Sequence, residues 1–405
     1  MWALISTRSG WCILSERWRK LSLVVVALFG LIGCGEPDVS SGPARVYEAG
    51  EAVCEGGVEA PRAAVFPDVQ TTGVGPNVIK QGDDYLWIVE SLDNSISRFD
   101  PATGTYDLYF IDVGNDRNPY DLHIDEEKHL AYITNWVAGT LTVASTQTGE
   151  VVAEIGVDTD DFDAPQGVTA SDDYIYVTNT HYRSNTFDEG SVTVVDRDSL
   201  EVVARVATTK KNPQFAETIV TSDGPRIVIV SSGDIGQSGV ARSDGAVELW
   251  AETDEPGAPD REVFVLESTD DQRHGAPGRP LLTPDGTRLY MPSATAPALF
   301  ALDLEQKTWL HDTADPLTVY DSQDLALDTA AIDSRGIIYV TAFNEDALYL
   351  VDTSCDEVLA GPIDLGVTSL GEGPQDVQIV EASQGATAFF IMGGSNVMGK
   401  VELEF

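Results

Sequence analysis

From about residue 75 to its end the chain is built of short runs in which apolar and polar residues alternate, each closed by Gly, Pro, Asn or Asp. Alternation with a period of two, bounded by such turn formers, predicts strands. No stretch sustains the 3.6-residue spacing of an amphipathic helix. Some runs are apolar almost throughout, and these repeat. "AYITNWV" stands at 131–137, "YIYVTNT" at 174–180 and "IIYVTAF" at 337–343. Such runs predict strands buried on both faces, where aromatic and β-branched side chains pack well.

The repeated strand belongs to a larger unit. Each unit opens with a small or polar residue and Pro, followed by a short apolar strand, an Asp- or Gly-rich turn, the apolar run, a polar loop, an alternating strand, a tight turn and a last strand. The first unit spans 75–114, and later ones open at 118, 164, 212, 276, 327 and 373. "PATG" and "TQTG" supply the turn chemistry, with Pro presetting φ and Gly accepting positive φ. Four short strands repeated radially make a β-propeller blade. The expected fold is therefore all-β, a seven-bladed β-propeller of four-stranded antiparallel blades over residues 61–405. The last unit stops at Phe405 after its third strand. Residues 63–69 lie in "RAAVFPDVQ", which is similar to the ends of other units such as "EVVARVATTKK". An N-terminal strand is therefore expected to complete the last blade and remove its open edge.

The stretches "YVTN" (176–179), "YITN" (132–135) and "YVTA" (339–342) resemble the YVTN-repeat propellers, relatives of the lactonase-like seven-bladed proteins. The first unit, with "DDYLWIVESLDNSISRFDPATG", is more similar to the streptogramin-lyase and NHL-type propellers. The resemblance implies the fold and a binding site at one mouth of the central channel. That mouth would be built from the loops entering each blade and those joining its second and third strands. Asn77, Tyr120, Gln166, Gln214, Gly278 and Gln375 follow the opening Pro, with Asp121, His123, Glu217, Arg279 and Asp376 nearby. A ring of amides and carboxylates suits a small polar ligand, a cation or a peptide. The same groups could equally bond backbone and water around a wet channel.

Three further features bear on chemistry. Asp158, Asp160, Asp161 and Asp163 cluster in the third unit's entry loop, as hard oxygen ligands for Ca²⁺ or as a solvated acidic turn. The long loops 179–191 and 231–246 carry His181, Tyr182, Arg183 and Arg242, which could grip an anion or offset neighbouring carboxylates. The histidines (123, 129, 181, 274 and 311) show no zinc-type spacing, and no G-x-S-x-G elbow or Gly-rich phosphate loop is present.

Composition and the N-terminus set the surroundings. Arg17, Arg19 and Lys20 precede "LSLVVVALFGLIG", a secretory signal by pattern and too short for a comfortable span. Its end, "LIGC", resembles the lipobox of bacterial lipoproteins, in which the cysteine is acylated; an ordinary signal peptide is the alternative. The expected organisation is a signal at 1–34, lipidation at Cys34, and a flexible acidic tether over 35–60. Gly35 after the cysteine points by analogy to an outer-membrane lipoprotein, facing the periplasm or the surface. Cys54 and Cys355 would then lie in an oxidising compartment and are expected to pair. The formal charge is −42, and −45 without the basic leader, which disfavours nucleic acid and favours cations and basic partners, or simply gives a solvated acidic surface suited to a salty habitat. The leading expectation is a membrane-anchored monomer that binds a protein or small polar ligand. The alternative is a lactonase-like hydrolase or lyase with a divalent metal, such as Ca²⁺, at the channel mouth.

Overall fold

The computed structural model describes residues 43–405 except 237–238, 270–274, 322–326, 328, 367–372 and 384, together with a two-stranded hairpin at Ala3–Thr7 and Gly10–Leu14. Cys34 and His274 lie outside the described residues. Seven antiparallel sheets stand around a channel. Six are built from consecutive strands over 76–112, 119–155, 165–207, 213–266, 281–311 and 330–364, which we number as blades 1 to 6. Blade 7 combines Pro374–Ala382, Gly385–Met392 and Val397–Glu404 with the N-terminal strand Arg62–Thr71. Lys400 pairs with Phe66, Val401 with Val65 and Leu403 with Ala63, so the ring closes as the unit boundaries imply.

The apolar runs are the second strands of their blades. Leu130–Asn135 and Tyr174–Asn179 are buried at every position but the first, and Ile337–Ala342 throughout. The buried apolar residues fall into seven clusters, one at each seam between neighbouring blades. A blade therefore has no private core: each face is buried only against the next blade.

Each letter of the repeated stretch has a task. The tyrosine hydroxyl donates to a carboxylate: Tyr132 to Asp125 at 2.7 Å, Tyr176 to Glu252 at 2.7 Å and Tyr339 to Asp333 at 2.9 Å. The threonine reaches toward an inner strand: Thr134 Oγ1 donates to the Gln166 carbonyl of the next blade at 2.6 Å, and Thr178 Oγ1 accepts from Gly167 N at 2.9 Å. The asparagine ties second to third strand, with Asn179 Nδ2 donating to Thr193 at 2.9 Å and Asn135 Nδ2 to Thr142 at 2.8 Å. Buried polar groups paired in this way hold the blades in one register, although Asn135 Oδ1 has no protein partner. Glycine is required where inner strands converge: a Cβ on Gly167 would stand 2.7 Å from the Gln214 carbonyl oxygen of blade 4.

Three features differ from the regular pattern. Blade 5 has a short inner strand, Leu281–Leu282, with Pro277 making only an isolated bridge to Ser293, and Leu317–Thr318 adds to its third strand. Among the described residues one 3₁₀ turn, Phe343–Glu345, interrupts the sheets. Within the stretch expected as a tether, Arg45–Tyr47 forms a fifth strand on the outside of blade 7, pairing with Ala63–Val65. Three residues are too few for an alternation to register in sequence. This strap also grips blade 6: Arg45 pairs with Asp364 at 3.0 Å, Val58 N donates to Asp352 at 2.9 Å, and Cys54 is disulfide-bonded to Cys355.

The disulfide joins residues 301 apart in sequence. A cross-link over so long a loop contributes roughly 2–5 kcal/mol, chiefly by restricting the unfolded chain. Denaturant titration with and without reductant should show the unfolding free energy falling by that amount, and Cys355→Ala should reproduce it; an unchanged value would mean the disulfide adds nothing.

Candidate functional site

The channel is lined by the innermost strands, and their geometry explains where the expected site residues lie. Asn77, Gln214 and Gln375 each occupy the extra position of a β-bulge just after the opening proline, and Gln166 lies within the same irregularity in blade 3. Bulges re-aim side chains and are frequent beside sites. Here the amides mostly serve neighbours. Asn77 Nδ2 donates to the Tyr120 carbonyl at 2.8 Å, Gln214 Oε1 accepts from Ser232 at 2.9 Å, and Gln375 packs beneath Gly393. Gln166 is buried, and its Oε1 has no protein partner.

Deeper in the channel the charged residues meet. Lys80 of blade 1 pairs with Asp121 of blade 2 at 2.9 Å and reaches Glu217 of blade 4 at 3.8 Å. Arg279 of blade 5 pairs with Asp376 of blade 7, donating to both carboxylate oxygens at 3.0 and 2.9 Å. Asp376 also accepts from the backbone N–H of Ile79 at 3.1 Å and of Val377 at 2.9 Å. Five blades thus contribute to one network that crosses the channel. Burial pushes the Glu217 carboxyl up, against the opposing pull of Lys80 and Arg279. His123 stacks on Tyr132 with ring centroids 6.2 Å apart. Burial and then Lys80 bring it down to about 4, against Asp125 and Asp121, so it is neutral at pH 7. Lys80 escapes the sequence reading, although it stands four residues after its proline, as His123 and Glu217 do.

The mouth carries a cleft of about 410 Å³ between blades 2 and 3, lined by Trp136, Val137, Ala138, Gly139, Phe162, Asp163, Ala164, Tyr182 and Arg183. Trp136 follows Asn135 in the loop to the third strand, and Gly139 closes that loop at φ 64°, where its N–H bonds the Asn135 carbonyl at 2.9 Å. Phe162 anchors the acidic entry loop by inserting into the seam between the two blades. Tyr182–Arg183 and Thr186–Phe187 form a small hairpin whose two tip residues, Ser184 and Asn185, both take positive φ, as a two-residue turn requires. Trp136 and Tyr182 lie with ring centroids 6.0 Å apart.

Asp163 organises the cleft wall. Its backbone N–H donates to Asn179 Oδ1 at 3.0 Å, which connects the repeated stretch directly to the cleft. Its carboxylate takes Arg183 through two nitrogens and His181 Nδ1 at 2.9 Å, while His181 Nε2 lies 2.9 Å from Ser191 Oγ. Arg205 Nη2, which can only donate, stands 3.2 Å from His181 Nε2, so the imidazole proton is on Nδ1. Burial, Arg205 and Arg183 lower the affinity of His181 for a second proton, and Asp163 opposes them. The order Ser–His–Asp is that of an acyl-transfer relay. Here, however, Ser191 Oγ already accepts from Arg205 Nε at 3.1 Å and Asn179 Nδ2 at 3.4 Å, and the residue is 6% exposed. The Ser191 hydroxyl and Arg205 Nη2 share the single lone pair of His181 Nε2, and the buried line braces the hairpin.

The other expected site residues are dispersed. Arg242 is exposed and folds back on Gly236 of its own loop. Asp158 and Asp160 are exposed, Asp161 Oδ2 accepts from Thr159 Oγ1 at 2.7 Å, and Asp163 serves Arg183 and His181. The four carboxylates therefore do not converge as a calcium site needs. Among the described residues the one group of three or more metal-type ligands within reach of each other is Cys54, Asp352 and Cys355, whose sulfurs form the disulfide.

No protein-family model matches the chain, and no curated protein matches it in sequence. Among solved structures it is similar to a streptogramin B lyase, at 14% identity over 84% of this chain and 97% of that one, with a TM-score of 0.60. A catalytically inactive virginiamycin B lyase from Staphylococcus aureus with quinupristin gives 14% identity over 84% and 99%, with a TM-score of 0.61. The hydrazine synthase of Kuenenia stuttgartiensis gives 16% over 82% and 97%, with a TM-score of 0.59. Proteins so differently named share the propeller fold with this chain, and at these identities the likeness extends to the fold alone.

The state of His123 has a measurable consequence. Its folded pKa, about 4, lies below the ordinary value of 6.5, so its contribution to stability is present above pH 6.5 and is lost as pH falls toward 4. The charges around it are Lys80, Asp121, Asp125 and Arg197. Unfolding free energy measured from pH 7.5 to 4 should decline across that window, and His123→Gln should flatten the decline. An identical slope in the variant would show that His123 is not the group responsible.

Proposed function

We propose that this protein is a ligand-binding module: an exported propeller, tethered to a membrane by acylated Cys34, that takes a small polar ligand at the mouth cleft between blades 2 and 3. The observation that carries this reading is the cleft itself. It combines two aromatic faces, Trp136 and Tyr182, with a fixed polar pair, Asp163 and Arg183, on loops held by a rigid ring. Concave sites with apolar walls and a few placed polar groups are the usual form of small-molecule sites. The burial of the Ser191 hydroxyl and the separation of the acidic residues favour binding over hydrolysis or metal-assisted lyase chemistry. The leader, the lipobox-like "LIGC" and the acidic composition support export and anchoring.

Two measurements test the reading. A thermal-shift screen against a panel of small polar compounds should find at least one that raises the unfolding midpoint of the wild type, with the shift lost in Trp136→Ala. No shift across the panel, or a shift kept by the variant, would remove the cleft as the site. Cys34→Ala should move the protein from the membrane to the soluble fraction, and continued membrane association would rule out acylation as the anchor.

A further inference from the structure

The charges and surfaces of the cleft define the chemistry of its ligand. Arg183 spends its guanidinium on Asp163: Nη1 donates at 2.7 Å to one carboxylate oxygen and Nη2 bonds the other, and Nη1 also bonds the Tyr182 carbonyl at 3.2 Å. The pair cancels its own charge where it lines the cleft. A cationic ligand would meet the guanidinium as well as the carboxylate, and an anion would meet the reverse, so neither gains from the local field. The protein as a whole, at −42, disfavours anions and draws cations toward its surface without selecting them at this neutral wall, so a cationic comparator belongs in the test. A neutral ligand pays no such penalty.

The polar groups nevertheless ask for hydrogen bonds. A guanidinium has five N–H donors in a planar fork, more than the three bonds above consume. Arg183 is exposed, so its remaining donors are within reach of the cleft's contents. The indole N–H of Trp136 is shut off from solvent and has no protein partner. An unmet buried donor is destabilising, and a small ring movement toward a ligand oxygen would satisfy it. The ligand should therefore carry several oxygens that both donate and accept.

The aromatic walls add the last requirement. Trp136 and Tyr182 are inclined at 38° with centroids 6.0 Å apart, and Tyr182 is itself propped by Phe187 at 5.1 Å. The exposed Val137 extends the apolar side. A ligand that fits must show a flat apolar face as well as hydroxyls, and the volume of about 410 Å³ is enough for one or two six-membered rings.

Uncharged, rich in hydroxyls and flat on one face describes a sugar ring. We propose that the cleft between blades 2 and 3 binds a neutral pyranoside, its apolar face on Trp136 and Tyr182 and its hydroxyls on Arg183 and Asp163. The assignment deepens the ligand-binding reading above and rests on it.

The experiment is a titration, followed by calorimetry and by tryptophan fluorescence, of the full chain with neutral hexoses, N-acetylhexosamines and their short oligomers. Choline and glutamate serve as charged comparators. A neutral sugar should bind, with affinity changing little between low and high salt because no net charge is engaged. Trp136→Ala should weaken that binding by about tenfold or more, while Trp136→Phe, which keeps a flat face, should retain part of it. Unfolding midpoints of both variants confirm that the ring is intact. If choline or glutamate binds in a Trp136-dependent way and no sugar does, the sugar assignment falls while the cleft remains a ligand site. If a sugar binds equally well to Trp136→Ala, the assignment to this cleft falls. If nothing binds, the sugar assignment falls, and the thermal-shift panel decides separately whether the cleft takes any ligand.

Discussion

The structure depends on one constraint: a blade cannot bury both of its faces by itself. Each sheet is apolar on two sides, and the apolar residues sort into seven clusters that each belong to a pair of neighbours. Only a closed ring leaves no face exposed. Closure falls to the join between Val397–Glu404 and Arg62–Thr71, the two ends of the fold. The strap formed by Arg45–Tyr47 and the Cys54–Cys355 bridge reinforces it from outside, across the seam of blades 6 and 7.

A ring held at every seam can carry long loops without losing their geometry. The polar residues of the repeated stretch show how stiffness is passed outward. Asn179 fixes the third strand through Thr193 and the entry loop through the Asp163 backbone. Asp163 then fixes His181 and Arg183. The cleft wall is therefore an extension of the seam, and its aromatic side is held likewise by Phe162 in the core of the same seam. Such preorganisation lowers the ordering cost of binding.

The channel follows a different logic. Lys80, Asp121, Glu217, Arg279 and Asp376 meet from five blades and largely neutralise one another. Buried pairs of this kind offset their desolvation more than they add to stability. Their effect is to tie non-adjacent blades together across the channel. The uncompensated charge lies elsewhere, on the outer surface of a strongly acidic chain.

The sequence by itself determined the architecture. Blade number, unit boundaries and the borrowed strand were legible because strands buried on both faces need apolar runs, and seven copies of one run average out local noise. It also singled out His181, Tyr182 and Arg183, because a long loop on a regular repeat stands out. Only the tertiary structure decided what those residues do. Trp136 reads in sequence as one more apolar residue after a strand, and Phe162 is hidden among aspartates; their shared cleft exists because two loops from different blades converge. Lys80 sits in a polar turn by pattern, and its partners come from blades 2 and 4, 41 and 137 residues along the chain. The dispersal of Asp158, Asp160, Asp161 and Asp163 was equally invisible, since spacing along a chain does not say which way a loop turns its carboxylates. Periodicity records burial, which is local and repeated; a site is a meeting of residues from different repeats, and only packing brings them together.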